Sequence, residues 1–142
     1  MPRIWAVQAE GCAPFDAAWE KIPIEKPIVE VIKYCQEQQS ELMKPWANPT
    51  GLATGILDDI TYDWKGVVRS LLLSNGGSVV ASEEQVTQAS ELVPNLGIQT
   101  EPTGAASIAG AINSFESGQI DGQTTIAVLL TGKDRSINQG SD

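Results

Sequence analysis

Apolar positions along the chain follow two spacings in turn. The segment RIWAVQA at 3–9 is rich in strand-favouring side chains with no breaker inside, and it predicts a buried strand. Between 12 and 22 the spacing changes: Phe15, Ala18, Trp19 and Ile22 fall at i, i+3, i+4 and i+7, the interval that lines one face of a helix. Ile28, Val31, Ile32 and Cys35 repeat it, with Pro27 placed to open the helix and Glu30, Lys33 and Glu37 on the other face. The polar run at 36–40 frays that helix, and Pro45 and Pro49 make 44–49 a loop.

A third helix is predicted over 62–74, where Trp64, Val67, Val68, Leu71 and Leu72 keep the interval while Lys65 and Arg69 face outward. The Asn75-Gly76-Gly77 run stops it, since a glycine takes the left-handed terminating conformation without a Cβ clash. A short strand at 78–81 leads into Ser82 and Gln85, which have capping-box spacing, and Val86, Ala89, Leu92 and Val93 form the inward stripe of that helix. Thr103 is placed to cap a further helix that turns Ala105, Ile108, Ala109, Ile112 and Phe115 inward. The continuous apolar run TTIAVLL at 124–130 predicts a strand covered on both faces of a parallel sheet, followed by a polar tail at 133–142. Strands alternating with helices in this rhythm predict an α/β fold: three αβα layers around a mostly parallel, doubly wound sheet.

Composition sets bounds on this picture. With 142 residues, 42% apolar and 19% charged, the chain is expected to form one domain with a real core. A net charge of -9 repels phosphate backbones and anionic lipid heads, which argues against nucleic-acid and membrane partners. It does not exclude an anionic cofactor held by backbone N–H groups at a helix N-terminus. Cys12 and Cys35 are the only cysteines and histidine is absent, so the pair reads as free thiols and a Cys/His metal site lacks ligands. Without histidine, catalysis has to come from carboxylates, lysines or a cofactor. No long apolar span and no basic start followed by an apolar stretch is present, so the expectation is a cytoplasmic protein.

Four stretches carry a resemblance: PRIWAVQAEGCAP at 2–14, ANPTGLATGI at 47–56, EPTGAASIAG at 101–110 and VLLTG at 128–132. In order and rough spacing they resemble the C-terminal half of threonine synthases and their relatives among the pyridoxal-phosphate enzymes of fold type II. The resemblance implies a half-domain that lacks the cofactor-binding lysine, the asparagine beside the ring hydroxyl and the glycine-rich phosphate loop, all of which precede it in the family. Lys21, Lys26, Lys33, Lys44 and Lys65 read as solvated, and none is nominated as the Schiff-base lysine; Lys133 follows the last predicted strand. The segment 24–46 matches only in its helical character and is expected to be an elaboration of one lineage. After Thr131-Gly132 the family continues with histidine or asparagine and another glycine, whereas this chain has Lys133-Asp134-Arg135-Ser136, so substrate contacts from that loop do not carry over.

By the same resemblance the cofactor-binding candidates are Thr131, Glu101, Ala53, Thr54 and Gly55. Thr131 matches the hydroxyl residue that faces the pyridine nitrogen; read from the residues alone it is an ordinary Thr-Gly strand end. Glu101 resembles a wall beside the ring, and it equally complements a helix dipole. Ala53, Thr54 and Gly55 correspond to the ring side or form a plain tight connection. Cys12, after Gly11 at a strand-to-helix turn, is either a reactive thiol or a small buried residue.

The implied function is the C-terminal part of a lyase turning O-phospho-L-homoserine and water into L-threonine and phosphate, inactive without its lysine-bearing N-terminal half. Its expected partners are that half or further copies of itself, with a small amino-acid substrate and pyridoxal 5'-phosphate in the complete enzyme. Two alternatives stay open: half of a threonine or serine dehydratase-like enzyme, and a non-catalytic α/β interaction domain.

Overall fold

The computed structural model describes residues 2–132. Trp5–Ala9 forms β1 and Gly77–Ala81 forms β2, paired in parallel with Val7 opposite Val79. Parallel neighbours need a crossover. Here it carries α1 (Pro14–Trp19), α2 (Ile28–Glu37), α3 (Gln39–Leu42), a 3₁₀ turn at Thr54–Ile56 and α4 (Trp64–Ser74). After β2 come α5 (Glu83–Asn95) and α6 (Pro102–Glu116).

Alternation of side chains along a strand sends consecutive residues to opposite faces, and that places the two halves of the core. Ala6 packs with Phe15, Val31, Trp64, Val68 and Leu71 on the side of α1 to α4. Val7 and Ala81 pack with Val86, Ala89, Ala105 and Ala109 on the side of α5 and α6. The result is the expected α/β arrangement, with helices on both faces of a small parallel sheet.

Several local expectations hold for the reasons given. Ser82 accepts from the Gln85 N–H at 3.1 Å while Gln85 Oε1 accepts from the Ser82 N–H at 3.0 Å, a complete capping box. Phe15, Ala18, Ile22, Val31 and Cys35 are all buried. Both cysteines are buried free thiols.

Other expectations need correction. The helix predicted over 62–74 starts at Trp64 and is ended by Asn75 in the left-handed conformation (φ 55°), a region that asparagine tolerates. Gly76 serves close approach instead: a Cβ there would lie 1.7 Å from the Ile4 carbonyl oxygen. The polar run after α2 does not simply fray but forms the one-turn α3, which buries Leu42. Leu92 and Phe115 face outward, 45% and 58% exposed, because α5 and α6 press a narrow stripe of small residues against each other and the sheet. Thr103 is not a cap: Glu101 is the N-cap of α6 and makes no side-chain capping bond.

The largest departure is at 124–130, which is no strand. Ile126, Val128 and Leu129 are exposed, and no third strand joins the sheet among the described residues. A ladder needs a neighbour as well as a suitable sequence. On the β2 edge the Val80 carbonyl is already taken by the Asn113 Nδ2 of α6 at 3.0 Å. The polar tail at 133–142 lies outside the described residues.

Candidate functional site

The connection at 50–56 is tied down from three directions. The Thr50 N–H donates to the Gly11 carbonyl at 3.2 Å, and the Leu52 N–H donates to Glu83 Oε2 at 2.9 Å. The Gly55 N–H donates to Thr103 Oγ1 at 2.9 Å. Glu83 is itself set by its own N–H, which donates to Glu10 Oε1 at 2.8 Å. Ala53 is fully buried in the alanine cluster and anchors the turn from below, leaving Thr54 and Gly55 at the surface. A Cβ on Gly55 would come within 2.8 Å of Thr103 Cγ2, so the turn sits directly against the start of α6.

The other side of that helix start receives the end of the described chain. The Thr100 hydroxyl donates to the Gly132 carbonyl, and the Ser107 hydroxyl donates to the Leu129 carbonyl at 2.9 Å. Gly104 and Gly132 meet backbone to backbone: a Cβ on Gly104 would lie 2.7 Å from the Gly132 oxygen, and one on Gly132 would lie 2.7 Å from Glu101 Oε1. The first turn of α6 therefore gathers Thr54, Gly55, Glu101, Thr103 and the Thr131-Gly132 segment. Thr131 and Glu101 are exposed there. Backbone N–H groups at a helix N-terminus carry partial positive charge, so this end attracts an anionic or electron-rich group.

Cys12 lies elsewhere. Its Sγ donates to the Asp58 carbonyl at 3.2 Å, and burial, followed by the Asp58 and Asp59 charges, pushes its pKa above the ordinary thiol value. A thiol held protonated is a poor nucleophile, so the structural reading of Cys12 prevails. The described lysines also lie away from α6. Lys33 and Lys44 pair with Glu37 and Glu41, and Lys65 Nζ donates to Gln39 at 2.8 Å, all on the far side of the sheet. Lys21 and Lys26 are exposed between α1 and α2. No cluster of three metal-ligating side chains occurs among the described residues.

Thr100, Thr103, Gly104, Ser107 and Gly132 were not singled out as site residues by their sequence. The available signal was a pair of glycines, Gly104 and Gly132, within two motif segments and without a left-handed turn to require them. Such glycines mark close backbone approach.

No family model matches the chain. Among curated proteins it is similar to the threonine synthase of Mycobacterium tuberculosis, 32% identical over 133 residues, which is 93% of this chain and 30% of that protein. The Mycobacterium leprae threonine synthase is 30% identical over the same length. That of Bacillus sp. (strain ULM1) is 33% identical over 85 residues, 59% of this chain and 24% of that protein. The chain thus spans about 30% of the length of the mycobacterial relatives it matches. The similarity to them extends over nearly all of its own length.

Proposed function

We propose that this chain supplies one wall of the pyridoxal-phosphate pocket of a threonine-synthase-like enzyme of fold type II, as its C-terminal portion. The reaction proposed for the complete enzyme converts O-phospho-L-homoserine and water to L-threonine and phosphate. One observation carries the reading: the 54–55 turn, Glu101 and Thr131-Gly132 converge on the first turn of α6.

The groups present fit one side of such a cofactor. Hydroxyls and backbone suit the face and edge of a planar ring, and Gly55, Gly104 and Gly132 let the segments that carry them pack directly against Thr103, Thr100 and Glu101. No described lysine reaches the site, and this reading assigns the covalent anchor to a separate part of the enzyme. When bound, the cofactor supplies an electron sink for breaking bonds at the substrate's amino-bearing carbon. Thr131 would present its hydroxyl to the ring nitrogen and, unlike a carboxylate, would not hold that nitrogen protonated. Thr54 and Gly55 would flank the ring, and Glu101 would close the wall beside Gly132. Among the described residues no lysine stands at the site for the central proton transfer, and we expect the chain to be inactive alone.

The test is to mix the chain with a purified, lysine-bearing N-terminal portion of a threonine synthase, pyridoxal phosphate and O-phosphohomoserine. The expected result is a visible absorbance band from lysine-bound cofactor, with phosphate release. Absence of both the band and any complex would overturn the proposal and leave a non-catalytic domain.

A further inference from the structure

The segment ending in Thr131-Gly132 is held by α6 and the residues leading into it, and not by a sheet. Its two described anchors are the Thr100 hydroxyl on the Gly132 carbonyl and the Ser107 hydroxyl on the Leu129 carbonyl. Ser107 lies in the second turn of α6, whereas Thr100 lies two residues before its start. Ser107 meets the earlier residue and Thr100 the later one, so the segment runs antiparallel to α6, towards its positive end. Gly104 lies between the two hydroxyls, and its missing Cβ lets the Gly132 backbone settle onto the first turn.

We infer that Thr100 and Ser107 are positioning residues: their hydroxyls clip the 129–132 segment to α6 and to the residues leading into it, and so deliver Thr131 to the pocket wall. The inference rests on the proposed role of Thr131, but the clip is measurable without cofactor. On a sheet, backbone bonds from a neighbouring strand would fix this segment. Here two side-chain donors do so, and each is removable with little change of shape.

The experiment is ¹⁵N relaxation and carbonyl ¹³C shifts on the 142-residue chain carrying Thr100→Val, Thr100→Ser or Ser107→Ala. In the wild type and Thr100→Ser, the order parameters of Thr131 and Gly132 are expected near ~0.85, the level of rigid backbone. Thr100→Val is expected to lower them below ~0.6, the flexible range, and to move the Gly132 carbonyl shift. Ser107→Ala should do the same at Leu129, and it decides the matter if Thr100→Val does not fold. Unchanged order in Thr100→Val, or equal loss in Thr100→Ser, would overturn the clip. Cofactor absorbance in the mixture with the N-terminal portion reports separately. If the wild type gives no band while the order parameters behave as expected, the proposed function fails and the clip stands; a band with unchanged order parameters gives the reverse.

Discussion

The two faces of the sheet are packed with different materials. On one face Phe15, Val31, Trp64, Val68 and Leu71 build a layer of large side chains, with Phe15 and Trp19 stacked at 6.0 Å. On the other face Ala53, Ala81, Ala89, Ala105, Ala106 and Ala109 make up nearly all of the buried cluster. Large side chains remove more apolar area from water, at roughly 25 cal/mol per Å², so the first layer contributes more of the folding free energy. Small ones let backbones approach, and the second layer is where α6 meets Val7, the 53–55 turn and Gly132. One face mainly holds the fold and the other mainly shapes the candidate site.

Truncation in the first layer gives the largest effect. Phe15 is 1% exposed, and Phe15→Ala is expected to cost about 3–5 kcal/mol in urea unfolding. An equally large loss from Ala109→Gly, which removes a single buried methyl, would break the division of labour.

In the alanine layer the damaging change is enlargement. A Cβ on Gly110 would lie 2.5 Å from Val7 Cγ2, and Gly110→Ala is expected to cost about 1–3 kcal/mol as α6 is pushed off β1. Gly104→Ala should act more locally, since the new methyl would meet Thr100 Oγ1 and the Gly132 backbone. Its expected signature is loss of order at 131–132 in NMR relaxation with nearly native helix content by circular dichroism.

This contrast also marks what the sequence makes legible. Helices of the large-side-chain layer announce themselves by period, and the Ser82–Gln85 capping box by a spacing that needs no tertiary partner. Alanines carry little hydrophobic contrast, so the period of α6 suggested that Phe115 points inward when it is 58% exposed. The run at 124–130 has the composition of a buried strand, but pairing depends on a neighbour the described residues do not provide. At the candidate site the motif segments were visible one by one. The bonds that join them, Gly55 to Thr103 and Thr100 to Gly132, link residues 48 and 32 positions apart, and local pattern says nothing about them.

A smaller effect sharpens the comparison at α5. Ser82→Ala removes the side-chain acceptor of the capping box and should cost about 1 kcal/mol in urea unfolding. Amide exchange should accelerate at the first turn of α5, whereas α2 and α4, which have no side-chain caps and rely on apolar packing, should be unaffected.

The smallest expected effect is on pH dependence, and it separates the layers by chemistry. Cys35 belongs to the large-side-chain cluster, and burial raises its pKa above the ordinary thiol value, only partly offset by the Lys65 charge. The alanine cluster contains no thiol. Below the unfolded thiol's pKa of about 8.5 both folded and unfolded states keep the proton, so the stabilisation from burying a neutral thiol is fully present. As pH rises further the unfolded chain loses its proton first, and stability falls until the folded thiol titrates too. Urea midpoints of the wild type should therefore decline above about pH 8.5 more steeply than those of Cys35→Ala. The difference between the two curves isolates the thiol from every other titrating group. Parallel curves would mean that Cys35 is hydrated in solution and that the first layer is looser than its packing indicates.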